Sequence, residues 1–365
     1  TVTINLTKTS SDFTINLDKV EDYIDPTILK NAIILNAKNP KDSNSTTFGS
    51  EVTTFTSISG ENEHVLNTAP DDYGTSYYFR GNVIDNYVSF ADKTWRIVRI
   101  NGDGSIRLIL DDVAKDSSGN AIETAFNTNY NDNAYVGYMY GTPGSTTYEA
   151  THENKNDSTI KVAVDKWYED NLKTNYANYF ADTLFCGDKT LAEDGIGGVT
   201  TQLGYGKNKT YYSSTERLRY SAGTTDITTS TPTLKCAEKV NDNYSRYTTT
   251  KSILADGKET NGNLKYPIGL LSADEIAYAG AKYNNPNKTY YLYNSSITSY
   301  LWLSSPNGYL GPLGGEWFVG GSAGNLGSDS VDTSYAFRPS INLKADLLIN
   351  GGNGTSSNPY TVKIS

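Results

Sequence analysis

This sequence of 365 residues predicts an α+β fold. Three observations carry that reading. Short runs with period-two alternation recur toward both ends of the chain. Only two segments combine helical spacing with a helix-start signal. The chain between them is polar and glycine-rich, with no regular strand–helix alternation.

Residues 1–37 open with Val2, Ile4 and Leu6, then Phe13, Ile15 and Leu17, a strand pattern. Asp25-Pro26 precedes a short apolar stretch, Ile28 to Leu35. Residues 38–75 are rich in Ser, Thr, Asn and Asp, with Pro40, Gly49, Gly60 and Pro70, and read as a linker or long loops. A small β-rich segment with its linker is therefore expected over 1–75, and the main domain over 76–365. Tyr77–Gly81, Tyr87–Ala91, Trp95–Ile100 and Ile106–Leu110 read as strands. Asn101-Gly102-Asp103-Gly104 between the last two is a tight hairpin turn, since Asn-Gly and Asp-Gly accept positive φ. Residues 127–157 read as loop. Ser158 caps a helix expected to run to about Ala181, with Ile160, Val164, Trp167, Tyr168 and Leu172 near helical spacing. A long irregular insertion is expected over 182–263. Ser272 with Glu275 forms a capping box that starts a second helix, Asp274 to about Lys282. Short strands follow at Tyr300–Ser304, Glu316–Val319, Phe337–Leu343 and Tyr360–Ile364.

Composition narrows the function. The net charge of -10 and the pI near 4.8 argue against a nucleic-acid or anionic-membrane partner. The mean hydropathy is -0.52 and no apolar run approaches the ~20 residues of a transmembrane helix. Aromatic residues at 12% exclude wholesale disorder. Two histidines, His64 in the linker and His152 in a polar loop, leave little room for His-based catalysis or zinc. The pairs Asp71-Asp72 and Asp111-Asp112 read as solvated turn charges, because sequence neighbours on a strand point opposite ways. Asn127, Asn129, Asn131, Asp132 and Asn133 could offer oxygens to calcium but match no calcium loop. The excess of Tyr (29) and Gly (32), with Asn and Thr, suits an antibody-like binding surface or simply reflects AT-rich codons. Cys186 and Cys236 either pair, closing a loop in an oxidising compartment, or are two unrelated buried thiols. The chain begins at Thr1 with no visible signal peptide, so an upstream segment is expected.

Several segments resemble a family of surface proteins from gut Firmicutes and their relatives. They are Tyr87-Val88-Ser89-Phe90 with Trp95-Arg96-Ile97-Val98-Arg99-Ile100, Asn131 to Gly141, Tyr266-Pro267-Ile268-Gly269-Leu270, Trp302-Leu303-Ser304-Ser305-Pro306, and the most specific, Phe337-Arg338-Pro339-Ser340-Ile341-Asn342-Leu343-Lys344. The likeness covers about 76–365. It implies a C-type lectin-like fold of the formylglycine-generating-enzyme-like branch, and the ending is similar to the variable proteins of diversity-generating retroelements. Formylglycine chemistry is not implied, because the two cysteines match no such motif.

The resemblance implies a ligand-binding face over 302–335. Its expected members are Trp302, Asn307, Tyr309, Leu310, Leu313, Phe318, Ser322, Asn325, Ser328, Asp329, Ser330, Asp332, Ser334 and Tyr335. Ser304, Trp317, Val319, Val331, Arg338 and Pro339 would be scaffold, as Trp302 could also be, with Arg338 paired to a buried carboxylate. The expectation is a non-catalytic, extracellular or cell-surface bacterial protein that binds a protein or glycan, with Tyr309, Phe318 and Tyr335 exposed together. No cofactor is expected beyond the calcium just weighed. The rivals are a pilus or surface-layer subunit and an enzyme on the same fold.

Overall fold

The computed structural model describes residues 24–38, 49–55, 66–239 and 243–364. The strand pattern of 2–17, His64 and much of the expected linker lie outside them. Leu29, Ile33 and Ala37 recur every fourth residue, which places them on one face of helix α1 (Leu29–Lys38), buried in the main core. The apolar stretch at 28–35 is therefore helical. Its start is pinned to the C-terminal chain by Leu29 N–H to the Leu347 carbonyl and Ile349 N–H to that of Thr27, both 2.8 Å.

The period-two runs form strands. β1 (Leu66–Asp71) and β2 (Gly74–Phe79) make a hairpin, followed by β3 (Tyr87–Phe90), β4 (Lys93–Ile100) and β5 (Ile106–Leu110). The division expected between 75 and 76 thus falls inside β2, and α1 belongs to the same core as the main domain. The β4–β5 turn closes with Asn101 N–H to Ser105 and Gly104 N–H to Asn101, both 2.8 Å, and Gly104 sits at φ 84°. Gly102 has no room for a side chain because Asp71 and Tyr73 press on it.

Beyond β6 (Thr124–Ala125), the loop region 127–157 carries β7 (Met139–Tyr140), helix α2 (Tyr148–His152) and β8 (Asn156–Asp157). Ser158 caps α3 (Thr159–Asn171), its oxygen accepting the Lys161 N–H at 3.2 Å. The helix breaks after Asn171 and resumes as α4 (Lys173–Tyr176). The expected insertion holds β9 (Phe185–Cys186), β10 (Thr210–Tyr211), α5 (Ser213–Leu218) and β11 (Arg246–Tyr247). Cys186 and Cys236 form a disulfide. After β12 (Ile268–Gly269) comes α6 (Ala273–Ala279), whose Ser272–Glu275 capping box forms as expected.

The tail supplies β13 (Leu301–Tyr309), β14 (Gly314–Val319), β15 (Leu326–Ser330), β16 (Ser334–Tyr335), β17 (Ser340–Leu343), β18 (Ile349–Gly351) and β19 (Tyr360–Val362). Two sheets organise the domain. The larger runs β12-β17-β5-β4-β3-β19-β18, with β2 paired to the end of β4 and β1 outside it; the β19–β3 pair is parallel. The second is the antiparallel sheet β10-β13-β14-β15. The fully buried α6 packs against strands of both. No helix among the described residues is long and apolar enough to cross a membrane.

Several polar residues read as exposed are interior. Asp71 is buried against Arg99 at 2.8 Å, and Asp72 accepts the Cys236 N–H at 2.9 Å. These acids bind groups brought in by distant strands, which no local pattern announces. Asp111 and Asp112 are half-buried. Arg338 is buried, but it donates chiefly to the carbonyls of Leu110 (2.6 Å) and Leu292 (2.8 Å), with Asp111 at 3.8 Å.

Candidate functional site

β13 lies between β10 and β14, and all nine of its residues are buried. That corrects three expected members of the binding face. The Trp302 indole donates to the Thr124 carbonyl at 3.0 Å and packs on Phe126. The Asn307 amide donates to Thr215 Oγ1 at 2.9 Å. Tyr309 is 1% exposed, its hydroxyl 3.3 Å from the Asn131 carbonyl. A strand covered on both faces hides every side chain, polar ones included.

The rest of the segment does reach the surface, and its glycines serve strands as well as loops. Phe318 on β14 lies opposite both Trp302 and Gly327. A side chain at Gly327 would collide with the Phe318 ring, so the bare backbone of β15 is the seat of that ring. Tyr300 stacks on Phe318 with centroids 4.6 Å apart and planes 7° apart. Tyr335 on β16 meets both rings near perpendicular, at 5.0 and 5.6 Å, and rests on Trp302 at 4.7 Å. Tyr335 donates its hydroxyl to Asp329. Burial, then this bond, pushes the phenol well above its ordinary range, so it stays a donor. Phe318 and Tyr335 are half-buried and Tyr300 is 41% exposed. The result is an aromatic step fixed from beneath by Trp302 and Phe126.

The sequence marks Tyr300 only as the start of a strand. Its signal was period two, which places it on the face of Trp302. Around the step, Ser322, Asp329, Asp332 and Ser334 are exposed, while Asn325, Ser328 and Ser330 are half-buried. Ser328 pairs with the buried Trp317, and Ser330 donates to Asp332. Leu310 and Leu313 are exposed at the tip of the β13–β14 hairpin, where Gly314 N–H bonds the Tyr130 carbonyl. Trp317, Val319, Val331 and Pro339 are buried with Ser304 and Arg338.

Two of the residues weighed for calcium, Asp132 and Asn133, have other tasks. Asp132 accepts the amides of Ala134 (2.9 Å) and Gly144 (3.0 Å). Asn133 donates to the carbonyls of Gly206 and Asn208. Asn127 is buried, and Asn129 and Asn131 are exposed. Among the described residues no group of three or more His, Cys, Asp or Glu could hold a metal ion.

Among the described residues, the open clefts include two large ones. One of about 470 Å³ is lined by Lys93, Asp111, Asp112, Lys115 and Asn294; another of about 500 Å³ runs between α1 and β18. The strongly perturbed acids and the buried histidine lie in neither. His152, expected in a polar loop, is fully buried on α2, Nε2 2.7 Å from the Gly204 carbonyl and 3.2 Å from the Tyr212 hydroxyl. Burial, then the charge of Lys189, pulls it down to about 3. Glu316, on β14, is buried with one oxygen 3.3 Å from Gly137 N–H and the other unpartnered. Burial raises its carboxyl well above the usual range.

These two groups set a pH window. Folded Glu316 keeps a proton that the unfolded chain releases above about 4.5, so it makes stability fall as pH rises past that point. Folded His152 refuses a proton that the unfolded chain takes below about 6.5, so it makes stability fall as pH drops. Between the two values their contributions oppose each other. Glu316→Gln is expected to flatten the alkaline decline, the gap from wild type closing or reversing by up to about 1.4 kcal/mol per pH unit above 4.5. Urea unfolding from pH 4.5 to 8 measures it. Parallel curves for the two proteins would refute it.

Compared with known proteins, the chain matches no family model, no curated protein and no solved structure.

Proposed function

We propose that this chain is an extracellular binding protein that holds a protein or glycan ligand non-covalently on the aromatic step of Tyr300, Phe318 and Tyr335, within a C-type lectin-like domain. The observation that carries the proposal is the step itself. Three large rings reach solvent together while buried aromatics lock them from below. Rigid aromatic area loses little conformational entropy on binding and makes good anchors. Ser322, Asp329, Asp332 and Ser334 surround it with polar groups for specificity, and Leu310 and Leu313 are exposed separately at the hairpin tip. The disulfide supports an oxidising compartment. It also engages both cysteines, which supports docking over thiol chemistry. Trp302, Asn307 and Tyr309 are withdrawn from the ligand set and become its support.

The test is a protein and glycan array probed with wild type and with Tyr300→Ala/Phe318→Ala/Tyr335→Ala, after circular dichroism confirms that the variant folds. Loss of three hot-spot rings is expected to weaken captured ligands by at least about 30-fold. Undiminished capture by the folded variant, or chemical turnover of a captured ligand, would overturn the proposal. Retroelement diversification has its own test: a near-identical DNA copy of about 302–340 beside a reverse transcriptase, differing mainly at adenines.

A further inference from the structure

Resting on that binding reading, we infer that the ligand presents a cation, an arginine- or lysine-bearing protein segment, to the aromatic step. The argument begins with charge. The chain carries 31 Lys and Arg, yet none occurs from 289 to 337. That stretch supplies all of β13, β14, β15 and β16. Its acids other than the buried Glu316 are Asp329 and Asp332, both exposed beside the step. Glu123 is exposed next to Thr124, the residue paired with Tyr335. The side of the sheet that carries the rings is therefore acidic.

Ring geometry agrees. Phe318 is covered by the Gly327 backbone on one side and by Tyr300 on the other. Tyr300, 41% exposed, is the most open of the three rings. An aromatic face carries negative charge density and attracts ammonium or guanidinium groups, guanidinium also by stacking. Asp329 lies within hydrogen-bonding reach of Tyr335, and Tyr335 touches Tyr300, so a cation over Tyr300 has a carboxylate close by. Elsewhere in this protein aromatic faces already hold cations, as Arg96 lies 3.8 Å from the Tyr87 ring centre and Arg219 4.2 Å from that of Tyr220. The step has the same chemistry with no cation from within that stretch.

Lys288, exposed, borders the step from outside that stretch. Lys207 and Lys209 precede β10, which pairs with the Tyr309 end of β13, away from the step. Lys288 follows Asn287, whose amide bonds Ala323 behind the Ser322 turn. The rings thus stand in an acidic field with Lys288 at its border, which favours a single protruding basic segment over a broad anionic or neutral partner.

The probes are three fluorescein-labelled twelve-residue Gly-Ser peptides carrying four Arg, four Gln or four Glu, titrated by fluorescence anisotropy at 50 and 300 mM NaCl. The Arg peptide is expected to bind, and to bind more weakly at the higher salt. Asp329→Asn/Asp332→Asn keeps an acceptor for Tyr335 and removes two charges; it should weaken the Arg peptide about 5-fold. Tyr300→Ala should weaken it about 3- to 10-fold. Glu149→Gln/Asp226→Asn removes the same charge from exposed sites off the sheet and should leave binding within about 2-fold. Equal binding of the three peptides, no binding of any, or equal effects of the two charge pairs would overturn the inference. The binding reading fails separately. If array ligands are lost on removing the three rings but not on neutralising Asp329 and Asp332, the face binds and the cation is wrong.

Discussion

Glu275→Gln is expected to lower the unfolding free energy by about 3–5 kcal/mol, the usual consequence of breaking a buried ion pair from one side. The carboxylate is 4% exposed. One oxygen accepts from Arg99 Nε at 3.1 Å and Arg107 Nη1 at 2.7 Å, the other from the Ser272 N–H at 3.0 Å. Arg99 reaches on to Asp71, and Arg107 to Asn342 on β17. One carboxylate thus bridges two buried cations, one of them shared with Asp71, and ties α6 to β4 and β5. Glutamine can still close the capping box, so this substitution removes charge and little else. Burial alone would raise the Glu275 carboxyl, but Arg107 and Arg99 outweigh it and hold it below the usual range. Its stabilisation is therefore complete above about pH 4.5 and fades as pH falls through the lower folded value. Urea unfolding at pH 7 should show the full loss, and at pH 3 a smaller one. A change below about 1 kcal/mol at pH 7 would mean that the guanidinium groups find other compensation.

The same glutamate shows what the sequence could and could not convey. Its capping box was legible because Ser272 and Glu275 are three residues apart. Its partners were not, since Arg107 and Arg99 are 168 and 176 positions away. β3, β4 and β5 were legible from alternation and from the glycines at 102 and 104. α1 was legible in principle, from Leu29, Ile33 and Ala37, but a dominant strand pattern upstream obscured it. Tyr309 was misread because composition cannot say whether a strand is covered on one face or two. β13 contains Ser304, Ser305 and Asn307, which look like surface residues and are buried through bonds to Cys186, Ala273 and Thr215. β15 is hard to see in the sequence because Gly327 looks like flexibility, whereas it is bare so that Phe318 can lie on it. Within the candidate face, the exposed acids and serines were expected from the resemblance. Which aromatics stand out depended on the register of β13 against β14.

Breaking the disulfide should cost nearly as much. Cys186 and Cys236 are 50 positions apart, and a closed loop of that length is worth about 4 kcal/mol on the chain-entropy model. Cys186→Ser/Cys236→Ser is expected to lose about that amount, mostly through the unfolded state. The folded loop keeps other ties: Asp72 still accepts the Cys236 N–H, and Arg246 still donates to the carbonyls of Cys236 and Ala237. The urea m-value should rise in the variant, because an unlinked chain exposes more surface on unfolding. A loss under about 1 kcal/mol with an unchanged m-value would refute this account. The consequence extends to the binding face, because the linked loop contains α5. From α5, Ser214 and Thr215 donate to the carbonyls of Pro306 and Asn307 at 2.6 and 2.8 Å, and Ser214 accepts the Trp317 indole N–H at 2.9 Å. The loop thus braces β13 and β14 through the sheet side away from Phe318. The folded variant should therefore keep its aromatic step, and with it ligand capture, at temperatures below its own lowered unfolding transition. Capture lost well below that transition would show instead that the disulfide shapes the face directly.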